Sequence, residues 1–263
     1  MHIGIDLGSR QVKIAIAKDG EITSLNSFDT IAFYREFIRK EHDRLAVDFW
    51  RLGLEDIKSL VSTGYGRNTV GLVGGEEIPE LKAHTLGAGW QTGLKDFTLL
   101  DLGGQDSKVV LVREGRMVDF QTNDRCAASS GRYLENMAAV LGITLEELSS
   151  FADAPVDLSS TCAIFGESEL IGMIIDGVPI ANLGAGVNYT IYKRIQPMLR
   201  QLASDTIVFT GGVAHNKALR EIIARETGAE VLVPEHPQFN GAIGCCVYGN
   251  ALQTDKQPIK VQI

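Results

Sequence analysis

A spacing that occurs twice constrains the fold of this chain more than any other feature of its sequence. In both copies an alternating apolar and polar run lies between a lysine and a later glycine, which is typical of a β-hairpin. A shared spacing over fifteen positions favours an internal duplication over chance. The residues that recur 95 positions later are Asp6 as Asp101, Gly8 as Gly103, Lys13 as Lys108 and Gly20 as Gly115.

Both copies are predicted to begin with three strands and to continue with helices and further strands, and the second copy has a longer helical insertion. Asp29 or Thr30 can cap the first helix, whose apolar positions extend from Ile31 to Leu45. The predicted elements are strands Ile3–Ile5, Val12–Ala17, Glu21–Phe28 and Ile57–Ser62 and helix Leu81–Trp90, then strands Phe97–Leu102, Lys108–Val112, Val118–Thr122, Thr206–Thr210 and Glu230–Val233 with helices Ala128–Leu141, Leu145–Phe151, Ala163–Ile175, Ile180–Leu202, Leu219–Thr227 and Asn240–Leu252.

This order of elements predicts an α/β fold with mixed sheets and two similar lobes that face each other across a cleft. We expect residues 1–95 to form the first lobe, completed by a C-terminal helix in residues 239–263. Residues 96–238 are expected to form the second lobe, and the polar tail after Asp255 is expected to be frayed.

Charge and composition exclude several functional classes. The net charge is −8 and there is no long basic block, so a non-specific role on nucleic acid is not expected. No stretch reaches 18 uncharged apolar residues, which predicts no transmembrane helix. The N-terminus becomes charged at once and does not resemble a signal peptide, so we expect a cytoplasmic protein.

Three predicted strands end in glycine turns, Asp6-Leu-Gly-Ser, Asp101-Leu-Gly-Gly and Thr210-Gly-Gly-Val. Glycines at such turns let the backbone approach a ligand and direct N–H groups at it. Acidic residues beside them suit a metal-bound phosphate better than a bare one. One such turn is a weak signal, but two at matched spacing with a third downstream indicate a nucleotide site.

These turns resemble those of the actin, sugar kinase and Hsp70 superfamily of ATPases, which has a duplicated ribonuclease H-like fold. The resemblance implies that two hairpin turns bind the phosphates of ATP or ADP and that the third turn lies against the adenosine. Asp6 and Asp101 would then hold a hydrated Mg²⁺, and Gln105 or Asp106 would orient the attacking water. Phosphate donors would be Gly8, Ser9, Gly103 and Gly104, and nucleoside contacts would be Gly211, Gly212 and Asn216.

Two questions about this site stay open at the level of the sequence. Lys13 and Lys108 either face the nucleotide or are solvated hairpin residues, because strand alternation puts them on one face without fixing which. A small-molecule kinase would use the same scaffold but would need a substrate-binding acid and a pocket in the first lobe. No stretch of the sequence marks such a pocket, and the kinase remains an alternative.

Two of the four cysteines lie where a predicted helix begins. Cys126 follows Asn123-Asp-Arg, and Cys162 directly precedes Ala163. Free N–H groups and the helix dipole at such positions favour a thiolate or an anionic cluster, although a pair of small buried residues is the alternative. Cys245 and Cys246 are adjacent in a helix, so their side chains diverge, and we interpret them as small core residues.

The cysteine contexts resemble the ATP-dependent activators of 2-hydroxyacyl-CoA dehydratases, a family that includes the ATPase subunits of benzoyl-CoA reductases. The resemblance covers nearly the whole chain. The departures are Ala128-Ser-Ser-Gly, where the family has Ala-Gly-Thr-Gly, and Gly166-Glu-Ser, where it has Ala-Glu-Ser. The matching stretches are Asp6-Leu-Gly-Ser, Thr63-Gly-Tyr-Gly-Arg, Asp101-Leu-Gly-Gly-Gln-Asp-Ser-Lys, Asn123-Asp-Arg-Cys-Ala-Ala, Ser160-Thr-Cys, Glu167-Ser-Glu, Thr210-Gly-Gly-Val-Ala and Phe239-Asn-Gly-Ala.

The family resemblance implies that Cys126 and Cys162 of two identical subunits hold one [4Fe-4S] cluster. A [4Fe-4S] cluster normally has four thiolate ligands, and this chain offers two in a suitable setting, so a homodimer is expected. The implied function is an ATPase that acts as a one-electron donor. A ferredoxin or flavodoxin would supply the electron, and a partner iron–sulfur enzyme such as a 2-hydroxyacyl-CoA dehydratase would accept it. The alternatives within this class are a double-cubane-cluster protein or a benzoyl-CoA reductase as acceptor.

Overall fold

The computed structural model of this chain describes residues 1–64, 72–123, 130–159 and 163–253. Within these residues the chain separates into two compact units. Unit 1 consists of Met1–Lys95, Arg113–Met117 and the described part of Gln238–Ile263. Unit 2 consists of Asp96–Val112 and Val118–Pro237.

Unit 1 is built on a sheet of five described strands in the order β3-β2-β1-β6-β7. Strand β1 is antiparallel to β2 and parallel to β6, so the sheet is mixed. A small hairpin of β4 and β5 stands apart from it. The elements are β1 (His2–Leu7), β2 (Gln11–Lys18), β3 (Glu21–Asp29), α1 (Thr30–Phe37), β4 (Ile38–Glu41), β5 (Arg44–Val47), β6 (Ser59–Thr63), β7 (Glu76–Glu77) and α2 (Glu80–Thr92).

Unit 2 is built on a second mixed sheet, whose described strands follow the order β10-β9-β8-β11-β12. The hydrophobic core of unit 2, which is larger than that of unit 1, lies between this sheet and the helices of the insertion. The elements after α2 are β8 (Phe97–Leu102), β9 (Ser107–Arg113), β10 (Arg116–Asn123), α3 (Gly131–Leu141), α4 (Leu145–Leu148), α5 (Ala163–Ile175), α6 (Ile180–Gln201), β11 (Thr206–Thr210), α7 (Lys217–Thr227) and β12 (Glu230–Leu232), and the chain then enters α8 (Asn240–Gln253), which packs in unit 1.

The two sheets have the same strand order, which confirms the duplication predicted from the sequence. The register agrees as well as the order. Asp6 pairs with Lys13 across β1 and β2, and Asp101 pairs with Lys108 across β8 and β9. The 95-residue repeat is therefore a repeat of three-dimensional structure down to individual strand pairs.

The first helix is shorter than the sequence pattern predicted, and this part of the prediction was wrong. Asp29 caps α1, since its Oδ1 accepts a hydrogen bond from the backbone N of Ala32 at 3.0 Å. The helix ends at Phe37, and the chain then turns at His42, which has a φ of 55°. Leu45 reaches the core of unit 1 from the β4–β5 hairpin instead of from a helix. Its match to helical spacing was coincidental.

Other elements agree with the prediction except at their ends. The strand predicted at Ile57–Ser62 is β6, and the helix predicted to continue to Phe151 ends at Leu148. The helix predicted from Leu219 begins at Lys217, because Asn216 caps it. The first described residue of α3 is Gly131, and the predicted start at Ala128 and the predicted tail lie outside the described residues. No helix in the described ranges is long and apolar enough to span a membrane.

Helix α8 crosses strand β1 and helix α2 at short distance because glycines line the crossings. A Cβ on Gly4 would overlap the carbonyl oxygen of Ala242, and a Cβ on Gly244 would overlap that of Ala83. Cys245 and Cys246 lie on α8, and their side chains are almost fully buried in the interior of the protein. Small side chains on α8 therefore fix how closely the helix lies against β1, the strand that carries Asp6.

We predict that Gly244→Ala lowers the free energy of unfolding by about 2 kcal/mol or more, because overpacking a close helix crossing costs about 1–3 kcal/mol. The matched control is Gly172→Ala in α5, where a Cβ would meet nothing within 4 Å. This control should be neutral or stabilising by up to about 1 kcal/mol, since alanine is the better helix former. Urea titrations measure both values, and equal effects would contradict the packing described here.

Candidate functional site

Asp6 is the last residue but one of β1, and the backbones of two glycines lie close to its carboxylate. The residue is 4% exposed. A Cβ on Gly64 would lie 2.8 Å from Asp6 Oδ1, and a Cβ on Gly241 would lie 2.9 Å from Asp6 Oδ2. Lys13 Nζ lies 4.0 Å from Oδ2. The backbones of Gly64 and Gly241 therefore lie so close to the two carboxylate oxygens that neither position has room for a larger residue.

The turn after β1 is held by the start of α1. Thr30 Oγ1 donates to the carbonyl oxygen of Gly8 at 2.8 Å, and Thr30 N donates to that of Arg10 at 3.2 Å. A Cβ on Gly8 would lie 2.6 Å from the carbonyl oxygen of Gln11, so only glycine fits this turn. Ser9 is exposed between these anchors. The turn is therefore rigid on its carbonyl side and carries Ser9 toward solvent.

The equivalent aspartate in unit 2, Asp101, is more tightly held. It is 2% exposed, and its Oδ1 accepts a hydrogen bond from Thr210 Oγ1 at 2.8 Å. Lys108 Nζ lies 3.6 Å from Asp101 Oδ2 and 2.5 Å from Asp106 Oδ2. Lys108 is 5% exposed, so it is not a solvated hairpin residue. The side chain of Lys13 is 18% exposed beside Asp6, so it is largely buried as well.

Gln105 and Asp106 differ in how they are engaged within the second turn. Gly103 N donates to the carbonyl oxygen of Asp106 at 3.0 Å, and a Cβ on Gly103 would lie 2.6 Å from Asp106 Oδ1. The other oxygen of Asp106 is bound by Lys108. Gln105 is partly exposed in the same turn. Of the two residues predicted to orient a water molecule, we therefore carry Gln105 forward.

The carbonyl groups of this second turn are bound by the first residues of α3. Gly131 N donates to the carbonyl oxygen of Gly103 at 2.9 Å, and Arg132 N donates to that of Gly104 at 3.1 Å. Ser130 Oγ also donates to Gly104 at 3.1 Å. Sequence reasoning missed this contact, and its only signal was a small polar residue and a glycine before an amphipathic helix. The phosphate turn and the start of α3 form one hydrogen-bonded piece.

The third turn is built from Gly211, which has a φ of 86°. A Cβ here would overlap the carbonyl oxygen of Leu102, and Gly211 N donates to the carbonyl oxygen of Pro237 at 2.9 Å. Gly212 is exposed beside it. The third turn therefore lies directly against the end of β8, next to Asp101.

Asn216 was predicted to contact the nucleoside. In the structure the oxygen and the nitrogen of its side-chain amide both make hydrogen bonds within unit 2. Its Oδ1 accepts from Leu219 N at 2.9 Å as the cap of α7, and its Nδ2 donates to Asn188 Oδ1 at 2.8 Å. These two contacts use one of the two N–H groups of Nδ2 and one acceptor position of Oδ1. Gly211, Gly212 and Asn216 stay the predicted contacts of the nucleoside.

A fourth turn, Thr63-Gly64, matches Thr210-Gly211 and was not recognised as such from the sequence. Thr63 is aligned with Asp6, as Thr210 is aligned with Asp101. Gly64 has a φ of 105°, and a Cβ there would lie 2.7 Å from the carbonyl oxygen of Leu7. The available signal was a Thr-Gly pair after the fourth strand of each copy.

His84 in α2 and Asn240 at the start of α8 also lie at Asp6 and were missed. A Cβ on Gly241 would lie 3.0 Å from His84 Nε2 and 2.9 Å from Asp6 Oδ2. Asn240 Nδ2 donates to the carbonyl oxygen of His84 at 2.9 Å. Residues 156 positions apart meet here because α2 and α8 pack together, which no local pattern reports.

Cys126 and Cys162 lie outside the described residues. Burial raises the pKa of the Cys245 thiol well above its usual range and raises the pKa of Cys246 to about 12. The Cys246 thiol lies 3.0 Å from the carbonyl oxygen of Ala15. Metal ligation requires a thiolate, so these two cysteines are unsuited to it. In the described ranges no three or more His, Cys, Asp or Glu side chains form a group that could hold a metal.

Magnesium does not need such a group. It binds through one or two carboxylates, keeps several waters and takes further oxygen ligands from phosphates. A Cβ on Gly64 or on Gly241 would lie within 3 Å of an Asp6 carboxylate oxygen, so both positions take glycine. Asp6 supplies a carboxylate of the kind that hydrated Mg²⁺ binds.

Comparison with known proteins identifies the family. Residues 3–249 match the family described as the BadF/BadG/BcrA/BcrD ATPase family. The chain belongs to this ATPase family. The 2-hydroxyisocaproyl-CoA dehydratase activator of Clostridioides difficile is 33% identical over 94% of this chain and 93% of its own length. The (R)-2-hydroxyglutaryl-CoA dehydratase activating ATPase of Acidaminococcus fermentans is 32% identical over 94% of this chain and 95% of its own length.

Solved structures, one of them a dehydratase activator, have the same fold as this chain. The activator of the 2-hydroxyisocaproyl-CoA dehydratase from Clostridium difficile, with bound ADPNP, has a TM-score of 0.82 and 31% identity, and covers 94% of this chain and 93% of its own. A ROK family glucokinase from Streptomyces griseus has a TM-score of 0.57 at 12% identity, covering 95% and 99% of the two chains, and shows the fold alone. The expected actin-like ATPase fold and the family resemblance are confirmed.

We predict that Lys108→Met lowers the free energy of unfolding of the nucleotide-free protein by about 3 kcal/mol, because the buried Asp101 carboxylate and the partly exposed Asp106 carboxylate both lose their lysine partner. The control is Arg39→Met, which removes an ion pair with Asp48 whose arginine side chain is 74% exposed. That change should cost less than about 1 kcal/mol. Denaturant titration of both variants measures the difference, and a cost below about 1 kcal/mol for Lys108→Met would contradict the buried ion-pair arrangement.

Proposed function

We propose that this chain is an ATP-dependent one-electron donor. Two copies hold one [4Fe-4S] cluster between them through Cys126 and Cys162 of each chain, and ATP hydrolysis drives low-potential electron transfer to a partner iron–sulfur enzyme. A 2-hydroxyacyl-CoA dehydratase is the partner we favour. Similarity over nearly the full length to two named dehydratase activators supports this assignment.

The observation that carries the proposal is the hydrogen-bonded link between the second glycine turn and α3. Gly103 and Gly104 are the proposed phosphate contacts, and their carbonyl oxygens bind Ser130, Gly131 and Arg132. Cys126 precedes Ser130 by four residues in the sequence. A change of the turn on ATP hydrolysis is therefore transmitted to the start of α3 within a few residues of a cluster ligand.

In this proposal the glycine turns of both units bind the nucleotide. Gly8 and Ser9 bind phosphate in unit 1, and Gly103 and Gly104 do so in unit 2. Gln105 orients the attacking water, and Gly211, Gly212 and Asn216 contact the nucleoside. Asp6 and Asp101 hold the hydrated Mg²⁺, which supplies positive charge at the phosphates when bound. Lys13 and Lys108 offset part of the negative charge of these two carboxylates.

The cluster assignment requires a second chain. A [4Fe-4S] cluster normally has four thiolate ligands, and the pKa values of Cys245 and Cys246 disfavour their thiolates. Helix α5, which begins directly after Cys162, also exposes large apolar side chains in the monomer. Phe165 is 70% exposed and Ile175 is 79% exposed. Apolar surface of this kind is typical of an interface and supports a homodimer.

Electrons come from a reduced ferredoxin or flavodoxin in this proposal. A double-cubane-cluster protein or a benzoyl-CoA reductase remains an alternative acceptor for the same machinery. The kinase alternative has support from the fold alone, because the glucokinase is 12% identical to this chain.

We expect the anaerobically purified protein to be a dimer with about four iron atoms per two chains. Cys126→Ala and Cys162→Ala should each abolish iron binding while ATP still binds, because the proposed contacts of the nucleotide do not use the thiol groups. Cys246→Ala is the matched control, and its iron content should equal that of the unchanged protein. Iron analysis and nucleotide binding measure these outcomes. Full iron in Cys126→Ala, or a monomer without iron, would reject the cluster assignment.

The link to α3 can be tested at Ser130, whose Oγ donates to the carbonyl oxygen of Gly104 at 3.1 Å. Ser130→Ala removes this donor without adding atoms. Ser150→Ala, which removes a serine hydroxyl that donates to the carbonyl oxygen of Glu147, is the control. We expect Ser130→Ala to retain its cluster and hydrolyse ATP while the yield of electrons per ATP falls, by up to about tenfold for one lost hydrogen bond. Equal yields in the two variants would show that this bond does not couple the sites.

A further inference from the structure

His84 is a buried histidine whose ring is held in one orientation by α8. It lies in α2 and is 6% exposed. Asn240, which is fully buried, donates through Nδ2 to the carbonyl oxygen of His84 at 2.9 Å. The same Nδ2 lies 3.4 Å from His84 Nδ1, and Asn240 Oδ1 accepts from Gln91 Nε2 at 3.0 Å. The position of the ring is thus fixed by a polar contact between two helices.

These contacts determine which nitrogen of the His84 ring carries the proton. The carbonyl oxygen of His84 accepts only, so it fixes the amide nitrogen of Asn240 on the side of the ring. An amide nitrogen donates, and the facing Nδ1 must therefore be the acceptor. A proton on Nδ1 would set two donors against each other. The geometry favours the tautomer with its proton on Nε2.

His84 Nε2 lies beside the Asp6 carboxylate. Nε2 and Asp6 Oδ2 lie 3.0 and 2.9 Å from one point, the position of a Cβ on Gly241. Nε2 also lies 3.9 Å from Glu80 Oε1, which is beyond hydrogen-bonding distance. A Cβ at position 241 would crowd both Nε2 and Oδ2. The glycine at the start of α8 therefore leaves room for the histidine ring and the carboxylate at the same place.

We infer that His84 is a positioning residue for the ATPase reaction: its Nε2–H orients the Asp6 carboxylate for the Mg²⁺-bound nucleotide. This inference rests on the proposed role of Asp6 as a magnesium ligand. A carboxylate at the end of a strand has a broad range of side-chain torsion, and a donor on one oxygen restricts it. His84 acts through Asp6 and does not itself touch the nucleotide.

Two substitutions separate the donor from the packing of the ring. In His84→Gln the amide nitrogen occupies the position of Nε2, so the donor to Asp6 is retained. In His84→Asn the side chain reaches only the position of Nδ1, so the contact with Asn240 is retained and the donor to Asp6 is lost. The measurements are the Kd of ATP at saturating Mg²⁺ and in EDTA, and the Mg²⁺ concentration at the midpoint of nucleotide binding.

We expect His84→Asn to raise the Kd of Mg-ATP and the Mg²⁺ midpoint about tenfold, the effect of one lost hydrogen bond to a charged group. His84→Gln should stay within about twofold of the unchanged protein. Binding of ATP in EDTA should be the same in all three proteins. Equal Mg-ATP binding by His84→Asn and the unchanged protein would overturn the inference. So would an equal loss of Mg-ATP binding in both variants that parallels a drop in their melting temperatures.

Asp6→Asn distinguishes failure of this inference from failure of the proposed site. Asp6→Asn should weaken Mg-ATP binding more than His84→Asn does, and the double variant should be no weaker than Asp6→Asn alone, because His84 acts only through Asp6. If Asp6→Asn binds Mg-ATP normally, the nucleotide assignment of Asp6 is wrong and the inference falls with it. If Asp6→Asn is weakened and His84→Asn is not, only the inference is wrong.

Discussion

The structure depends on hydrogen bonds between the first glycine turn of each copy and the helix that follows its third strand. Thr30 binds the carbonyl oxygens of Gly8 and Arg10 in unit 1, and the first residues of α3 bind those of Gly103 and Gly104 in unit 2. A glycine-rich turn is otherwise free to adopt many conformations. By engaging the carbonyl groups, the helix start fixes the turn that ends the central strand. The same contact makes the second turn and the start of α3 inseparable.

The two copies share this plan but differ in how firmly they hold their aspartates. Thr210 donates to Asp101, whereas its counterpart Thr63 donates to the carbonyl oxygen of Ile78. Lys108 is buried between two carboxylates, whereas Lys13 lies at 4.0 Å from one. Asp101 is therefore held by groups of its own sheet. Asp6 instead depends on helices α2 and α8, which is why His84 is the residue we single out.

Much of the fold could be predicted because the repeat fixes strand register. Side chains alternate along a strand, so a constant offset between Asp6, Lys13 and their counterparts predicts the same pairing in both copies, and the structure has it. The end of the first helix could not be predicted, since Leu45 fits helical spacing but reaches the core from a hairpin. His84 and Asn240 carry no local signal, because their meeting depends on how two distant helices cross.

The burial of Cys245 and Cys246 has a consequence for how the protein responds to oxidation by air. Thiols oxidise through their thiolates, and these two are protonated and sealed between α8 and β1. Oxidation by air should therefore leave these two thiols, and with them the helix that supports Asp6, unchanged.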